Sequence, residues 1–373
     1  MTSRKIKVVF GVNDFLVGGM QRQFAEQLRF FNRNRFEIIL VTLFDFPGAP
    51  ALYKELPSDL EVHRLAFTGM FDVASWWRLY RLLRQIKPDI VVSSLFFSNL
   101  IFRKLKPVVG YVSIAREHNT YIDRSAWQRF SDRLLASRSY RIIAVSRTVA
   151  AFTAKQEGIP FEKFTVIHNG IDAERMQERL ETLPDKTRLK EERGFQPSSK
   201  LLIAVSRLMP QKNHRLLLKG FALFRRSHPD YRLAVVGGGS LRASLEQEAQ
   251  KLGITDALAF FGHQDDPTPF YKMADALVST SDIEGLSNSM LEALAAGVPL
   301  VATKTAGTDE LIEDGKNGYF VEDRTPEGVN AALERFDKAD QTKMGDICRA
   351  TARAFDIRET VRAYESLFSS IIA

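Results

Sequence analysis

Short runs of β-branched residues alternate with helical stretches through this chain, and the alternation occurs twice. Lys7–Val12, Glu37–Leu43, Leu60–Leu65, Ile90–Ser93, Val112–Arg116, Arg141–Val145 and Lys163–Ile167 read as strands, with helices over Gln21–Phe31 and Trp76–Ile86 between them. These strands are apolar at nearly every position, as a parallel strand covered on both faces requires. Residues 173–200 break the pattern: they are polar, contain Pro184 and Pro197, and read as a linker carrying a short helix. The alternation restarts with strands at Leu201–Val205, Tyr231–Val236, Ala257–Phe261, Ala276–Ser279 and Pro299–Ala302, separated by helices near 213–226, 241–252, 268–273 and 286–296. An α/β fold follows, with two Rossmann-like domains, 1–178 and 195–355, facing across a cleft. The amphipathic stretch Arg358–Ile371 has no strand after it, so residues 356–373 are expected to cross back to the first domain.

Other architectures are excluded by what is missing. Cys348 is the only cysteine, which rules out a disulfide framework or a cysteine-based zinc site and fits a reducing compartment. The longest uncharged apolar stretch, Ile90–Phe102, has 13 residues, short of the ~20 that a spanning helix needs. The basic start Arg4-Lys5-Ile6-Lys7 runs into a first strand that ends by Asn13-Asp14, unlike a signal peptide. A cytoplasmic protein is expected.

Charge is uneven. Residues 1–178 hold 26 Lys and Arg against 17 Asp and Glu, whereas the remainder holds 26 against 28. A basic half attracts polyanions. Nucleic acid is not expected, because there is no zinc-finger spacing, aromatic RNP-like strand or basic heptad region. Trp76-Trp77 beside Arg78, Arg81 and Arg84 suits peripheral contact with an anionic membrane at the inner face of the plasma membrane, and equally suits a helix covering a sheet.

The segment Ser279–Pro299 carries the chemistry. A strand ends near Ser279, a loop holds Glu284, a helix starts around 286–288, and Gly297 with Pro299 stops it. The backbone N–H groups of Gly285, Leu286 and Ser287 would then face a phosphate or diphosphate at the positive helix end. Glu292 lies about two turns in, among Met290, Leu291, Ala293 and Leu294, where a charge needs a reason. Arg207 and Lys212, five apart after another strand, are well placed for a dianion at the mouth of an α/β crevice. Asp265-Asp266 beside Pro267 reads as a helix cap, and no acidic pair suggests a divalent metal site.

With these residues in view, the chain resembles the retaining glycosyltransferases of family four, which have the GT-B fold. The signature is Glu284 and Glu292 ahead of Ala293-Leu-Ala-Ala-Gly-Val-Pro299, together with Val205-Ser-Arg207-Leu-Met-Pro-Gln-Lys212. The resemblance implies a nucleotide-sugar donor, with Glu284 at the sugar hydroxyls and Glu292 at the ribose. Arg207, Lys212 and the Gly285–Ser287 backbone would hold the diphosphate. It implies that Gly19, in the glycine loop after the first strand, approaches the donor, and that Gly18, Gln21 and Arg22 belong to the acceptor loop. Ile167-His168-Asn169-Gly170 resembles the element closing the first domain, and His168 is expected to be structural. Val236-Gly-Gly-Gly239 and Phe261-Gly262-His263 match loops flanking the nucleotide base, His263 acting through its backbone. His118, after a strand in Ala115-Arg-Glu-His118-Asn119, matches a histidine that faces the donor sugar. The implied reaction is metal-independent and cofactor-free, moving a hexose or N-acetylhexosamine from a UDP-sugar to a lipid-linked or oligosaccharide acceptor. A nucleotide-sugar epimerase of the same fold and a non-catalytic sugar-nucleotide binding module are the alternatives.

Overall fold

The computed structural model describes residues 4–372. Two compact units divide the chain, one running to Gly170 and resuming at Ile357, the other spanning Ile171–Asp356.

The first unit is built on seven parallel strands, β1 (Ile6–Val12), β2 (Phe36–Thr42), β3 (Glu61–Arg64), β4 (Ile90–Ser94), β5 (Val112–Glu117), β6 (Ser139–Ala144) and β7 (Phe164–Val166), in the order β3-β2-β1-β4-β5-β6-β7. Its helices α1 (Gly19–Phe30), α2 (Val73–Ile86), α3 (Phe96–Val109), α4 (Ala126–Leu135) and α5 (Arg147–Glu157) alternate with strands, as parallel connections require. Alternate residues of each strand enter opposite cores. Phe10, Ile38, Leu40 and Val92 pack against Phe24 of α1 and against Val361, Tyr364 and Phe368 of the C-terminal helix (Ile357–Ile372). Val9, Ile39 and Val91 turn the other way, onto Leu79 and Leu83 of α2 and Ile101 of α3. The C-terminal helix is an integral part of this unit: Phe31 stacks on Phe368 at 6.2 Å and 11°, and Thr360 Oγ1 donates to the His168 carbonyl at 3.2 Å.

The second unit has six parallel strands, β8 (Lys200–Val205), β9 (Tyr231–Val236), β10 (Leu258–Gly262), β11 (Ala276–Ser279), β12 (Leu300–Thr303) and β13 (Gly318–Val321), in the order β10-β9-β8-β11-β12-β13. Its helices begin with α6 (Ala173–Thr182), α7 (Lys186–Glu192), α8 (His214–Arg225), α9 (Arg242–Leu252), α10 (Thr268–Met273) and α11 (Asn288–Ala295).

The stretch expected to be a linker is instead α6 and α7, and the units meet at Gly170–Ile171, ahead of the anticipated boundary at 178. The reason is local. Asp172 and Asp185 cap the two helices by accepting from the backbone N–H of Arg175 (3.2 Å) and Arg188 (3.0 Å). Met176, Leu180 and Leu189 are buried, with α6 packed on α10 and α11. A few apolar residues at helical spacing suffice to fold a mainly polar segment onto a core. No helix among the described residues is long and apolar enough to cross a membrane.

Candidate active site

Each sheet grows outward in both directions from a central pair of strands, β1 and β4 in the first unit and β8 and β11 in the second. At such a pair the following loops diverge to opposite faces and open a crevice at the strand C-termini. The residues singled out from the sequence lie on these two rims.

In the second unit the loops after β8 and β11 are stitched together. Asn213, held in a left-handed conformation (φ 45°), caps α8 by accepting from the Leu216 N–H at 3.3 Å. Its amide donates to Asp282 Oδ1 at 3.2 Å, while Thr280 Oγ1 donates to the Asn213 carbonyl at 2.9 Å. The Asp282 N–H reaches the Gln211 carbonyl at 2.9 Å, and Thr303 Oγ1 holds the Ser281 carbonyl at 2.6 Å. With both loops fixed, Lys212 Nζ forms an ion pair with Glu284 Oε2, both side chains being largely buried. Arg207, in the same loop after β8, is exposed.

The turn at Gly285, Leu286 and Ser287 is buried directly ahead of α11. It is backed by Gly307, where any Cβ would collide with the Gly285 carbonyl, so the loop after β12 can support this turn only as glycine. Ser287, at the N-cap, directs its hydroxyl to Ser289 Oγ (3.1 Å) and not to the helix backbone. Glu292 lies in the body of α11, where Tyr271 of α10 donates to its Oε2 at 2.6 Å. Tyr271 is 21 residues from Glu292. Only the fold brings them together.

His214 was also not singled out from sequence. It is buried, with Nε2 3.1 Å from Ser206 Oγ and 3.3 Å from the Arg207 carbonyl. Burial pushes its pKa down to about 4, with the Lys212 charge adding to the shift, so the ring is neutral near pH 7. On the other side of β8, the Gly237 N–H donates to the Gly262 carbonyl at 2.8 Å, bringing the two glycine loops together. His263 is half-exposed there and faces Asp265 at 3.4 Å. Asp266 accepts from the Thr268 N–H at 2.9 Å at the start of α10, a local turn role.

Comparison with known proteins follows the same division. The second unit matches the model of the glycosyl transferases group 1 over residues 185–354, and the first matches Glycosyltransferase Family 4 over residues 17–175. The chain belongs to glycosyltransferase family four. The lipopolysaccharide core biosynthesis mannosyltransferase LpsB of Rhizobium meliloti (strain 1021) is 26% identical over 292 residues, 76% of this chain and 77% of LpsB. The N-acetyl-alpha-D-glucosaminyl L-malate synthase of Bacillus anthracis is 29% identical over 216 residues, 57% of this chain and 55% of its own. Several curated relatives are matched over about half of their length. The crystal structure of Anabaena HepE in complex with UDP superimposes with a TM-score of 0.83 at 20% identity, covering 98% of this chain and all of HepE. The architecture is the GT-B fold, two Rossmann-like units of parallel sheet.

The transferase's first unit carries the remaining predicted residues on its own rim. Gly18 is the N-cap of α1 and Gly19 its first residue, with the Arg22 N–H donating to the Gly18 carbonyl at 2.9 Å. Gln21 reaches back to Asp14 Oδ1 at 3.2 Å, which also accepts from the Leu16 N–H. Asn13 Oδ1 accepts from the Ser98 N–H at 3.0 Å, tying the loop after β1 to the first turn of α3. Between β4 and α3 the chain turns at Leu95, whose φ of 73° and ψ of 157° lie in a region that non-glycine residues rarely adopt. His118 follows β5 directly. Burial and the Arg116 charge hold its pKa well below the usual value, so it is neutral.

Beside His118 lies a buried ionic network absent from the sequence reading. Arg124 donates to Glu117 Oε2 at 2.6 Å and Asp132 Oδ2 at 3.0 Å, and pairs with Glu157. Arg103 pairs with Asp132 at 2.8 Å and donates to Ser139 Oγ at 2.9 Å. Three carboxylates face two guanidinium groups, and burial with the Glu117 charge pushes the Glu157 carboxyl up to about 8. This network fastens the segment after His118 to α4 and α5.

Trp76 and Trp77 separate. Trp76 turns inward, donating from Nε1 to the Met70 carbonyl at 2.8 Å, while Trp77 is exposed and stacks on Tyr80.

Proposed function

We propose that this glycosyltransferase moves a hexose or N-acetylhexosamine from a UDP-sugar to a lipid-linked or glycan acceptor, with retention at the anomeric carbon, in the assembly of a surface polysaccharide or glycolipid. The observation that carries the donor site is the Lys212–Glu284 pair at the β8/β11 crevice. A cation for the diphosphate and a carboxylate for the sugar hydroxyls are held together there. HepE, which shares the fold, was crystallised with UDP, and this supports a uridine diphosphate donor. The name of LpsB supports an acceptor of the lipopolysaccharide type.

As the glycosidic bond breaks, negative charge builds on the departing diphosphate. Arg207, Lys212 and the Gly285–Ser287 backbone N–H groups stabilise that charge, which is larger in the transition state than in the bound donor. Such donors make a divalent metal unnecessary. Glu284 orients the sugar and Glu292, held by Tyr271, the ribose. Neutral His118 contacts the donor sugar. The incoming acceptor attacks from the face the leaving group vacates, and the leaving phosphate oxygen takes its proton. Gly18, Gly19, Gln21 and Arg22 line the acceptor and donor approach.

The exposed faces of α2 and α4 suit an anionic lipid surface that presents the acceptor. Trp77 stands with Arg78, Arg81 and Arg84 on one helix, and Trp127, Phe130 and Leu134 with Arg133 on the other. The deciding experiment offers the purified chain a panel of nucleotide sugars with bacterial lipid extract and EDTA, and measures nucleoside diphosphate release. Release with one donor, dependent on lipid and lowered at least about a hundredfold in Glu284→Ala, is expected. A new nucleotide sugar formed without acceptor would point to epimerisation. Binding without turnover under all conditions would point to a non-catalytic module.

A further inference from the structure

We propose that Arg116 holds a small monovalent anion inside the first unit, between β5, α1 and the C-terminal helix. Arg116 is only 2% exposed, and among the described residues no carboxylate lies within ion-pair distance of it. The guanidinium makes a single hydrogen bond, a long one from Nη2 to Gln27 Oε1 at 3.3 Å. Nε and Nη1 are buried without a partner, while the rings of Phe24 and Tyr364 flank the guanidinium at 5.5 and 5.2 Å. Water can satisfy an N–H group but cannot neutralise a charge. A buried guanidinium without a counter-charge is therefore a strong demand for one.

The neighbours supply donors. Val12, Ser94, Arg116 and Ile143 form one register row across β1, β4, β5 and β6, so Ser94 lies beside Arg116 on the same sheet face. Its hydroxyl is buried and unpartnered. Because Gln27 gives its oxygen to Arg116, its Nε2 points elsewhere and has no partner. Gln23, one turn earlier on α1, likewise leaves Nε2 unpartnered, as does the Tyr364 hydroxyl. The titratable groups facing Arg116 are Tyr364 of the C-terminal helix and His118 after β5, and α1 contributes none. Glu117 belongs to the opposite face, engaged by Arg124. Buried guanidinium, amide N–H and hydroxyl groups without acceptors, on elements packed against one another and with every fixed carboxylate elsewhere, make the donor set an anion site needs. Ser94, Arg116, Gln27 and Tyr364 are each at most 2% exposed, so an anion held there is shut off from bulk solvent, which suits a small ion and not a substrate phosphate. This inference does not depend on the donor or acceptor proposed above.

The test uses the whole chain. Thermal unfolding is followed in sodium chloride at constant ionic strength, balanced with gluconate, for the native protein and Arg116→Gln. Above saturation, each tenfold rise in chloride should shift the native protein's unfolding equilibrium about tenfold. Arg116→Gln should show no chloride-specific shift. Should that variant fail to fold, crystals of the native protein grown in bromide give the direct readout: an anomalous peak bonded to the Arg116 guanidinium. Ordered waters alone at that position, or equal stability in chloride and gluconate, would overturn the assignment.

Discussion

Lys212 and Glu284 are partners across the gap between β8 and β11, 72 residues apart in the chain. Each keeps the other's charge compensated in a largely buried setting. Glu284→Ala is expected to lower turnover about 10²–10³-fold, the range for removing one group that acts on the transition state. Lys212→Met should do the same. The double variant should lose far less than the product of the two, because either single change already breaks the pair. Initial rates of nucleoside diphosphate release in the four proteins provide the check, with thermal melts confirming that each is folded.

Tyr271→Phe removes the hydrogen bond to Glu292 and keeps the buried ring. A bond of this kind to a charged group contributes about 1.5–3 kcal/mol. The expected outcome is a donor KM raised tenfold or more with kcat nearly unchanged, since ribose binding is uniform along the reaction. An equal fall in kcat would contradict a purely positioning role for Glu292.

Stability should fall on the acid side because of His214. Its pKa is depressed in the folded state, so between the unfolded value near 6.5 and the folded value of about 4 only the unfolded chain takes up the proton. Folding is thus progressively weakened as pH drops through that window, by roughly 3 kcal/mol in all, and not further below it. Neutral His118 acts in the same direction. Urea melts between pH 4 and 7 should show the slope, reduced in His214→Gln.

Glu157 has the opposite sign. Its folded pKa is raised to about 8, so the native state retains a proton that the unfolded chain releases above about 4.5. Stability from this group is complete below that value and is lost as pH rises toward 8. Replacement by glutamine, which keeps the shape and removes the titration, should flatten the neutral-to-alkaline decline in urea midpoints. An unchanged pH profile in Glu157→Gln would count against a shared proton in the Arg124 network.

The α4 stripe offers a membrane test. Trp127, Phe130 and Leu134 are 48%, 64% and 63% exposed, one helical face of large apolar groups. Phe130→Asp should reduce co-flotation with vesicles rich in anionic lipid about tenfold or more, given ~1.5–3 kcal/mol for one buried aromatic side chain. Raising salt should weaken flotation of the native protein through loss of the arginine contribution. Flotation unaffected by both changes would remove these helices from any lipid contact.

The sequence made the alternating strands, and with them both parallel sheets, readable because most strands are apolar runs and the helices are not; β3, Glu61–Arg64, is the exception. The loop from Glu284 to α11 was equally legible, since Gly285 and Gly297 punctuate it. Helix α3 was not. Ile90–Phe102 reads as one apolar run, yet it contains all of β4, a corner and the start of α3. The corner falls on Leu95, where a glycine would have announced the positive φ. Tyr271 and His214 escaped notice for a different reason: their roles come from partners on other elements. The Arg124 network, drawn from a loop, strand β5 and helices α3, α4 and α5, carries no local signature at all.

The return of the C-terminal helix to the first sheet fixes an order of events during synthesis. Residues 171–356 form a self-contained unit and can fold as soon as they clear the ribosome. The seven-stranded sheet cannot finish, although its strands are made first. Until the final helix emerges, Phe10, Phe31 and Phe36 lack the cover that Tyr364 and Phe368 provide. The earliest-born half of the molecule therefore matures last, and a chain released after residue 356 would carry a finished second unit and a first one still exposing its aromatic core to chaperones.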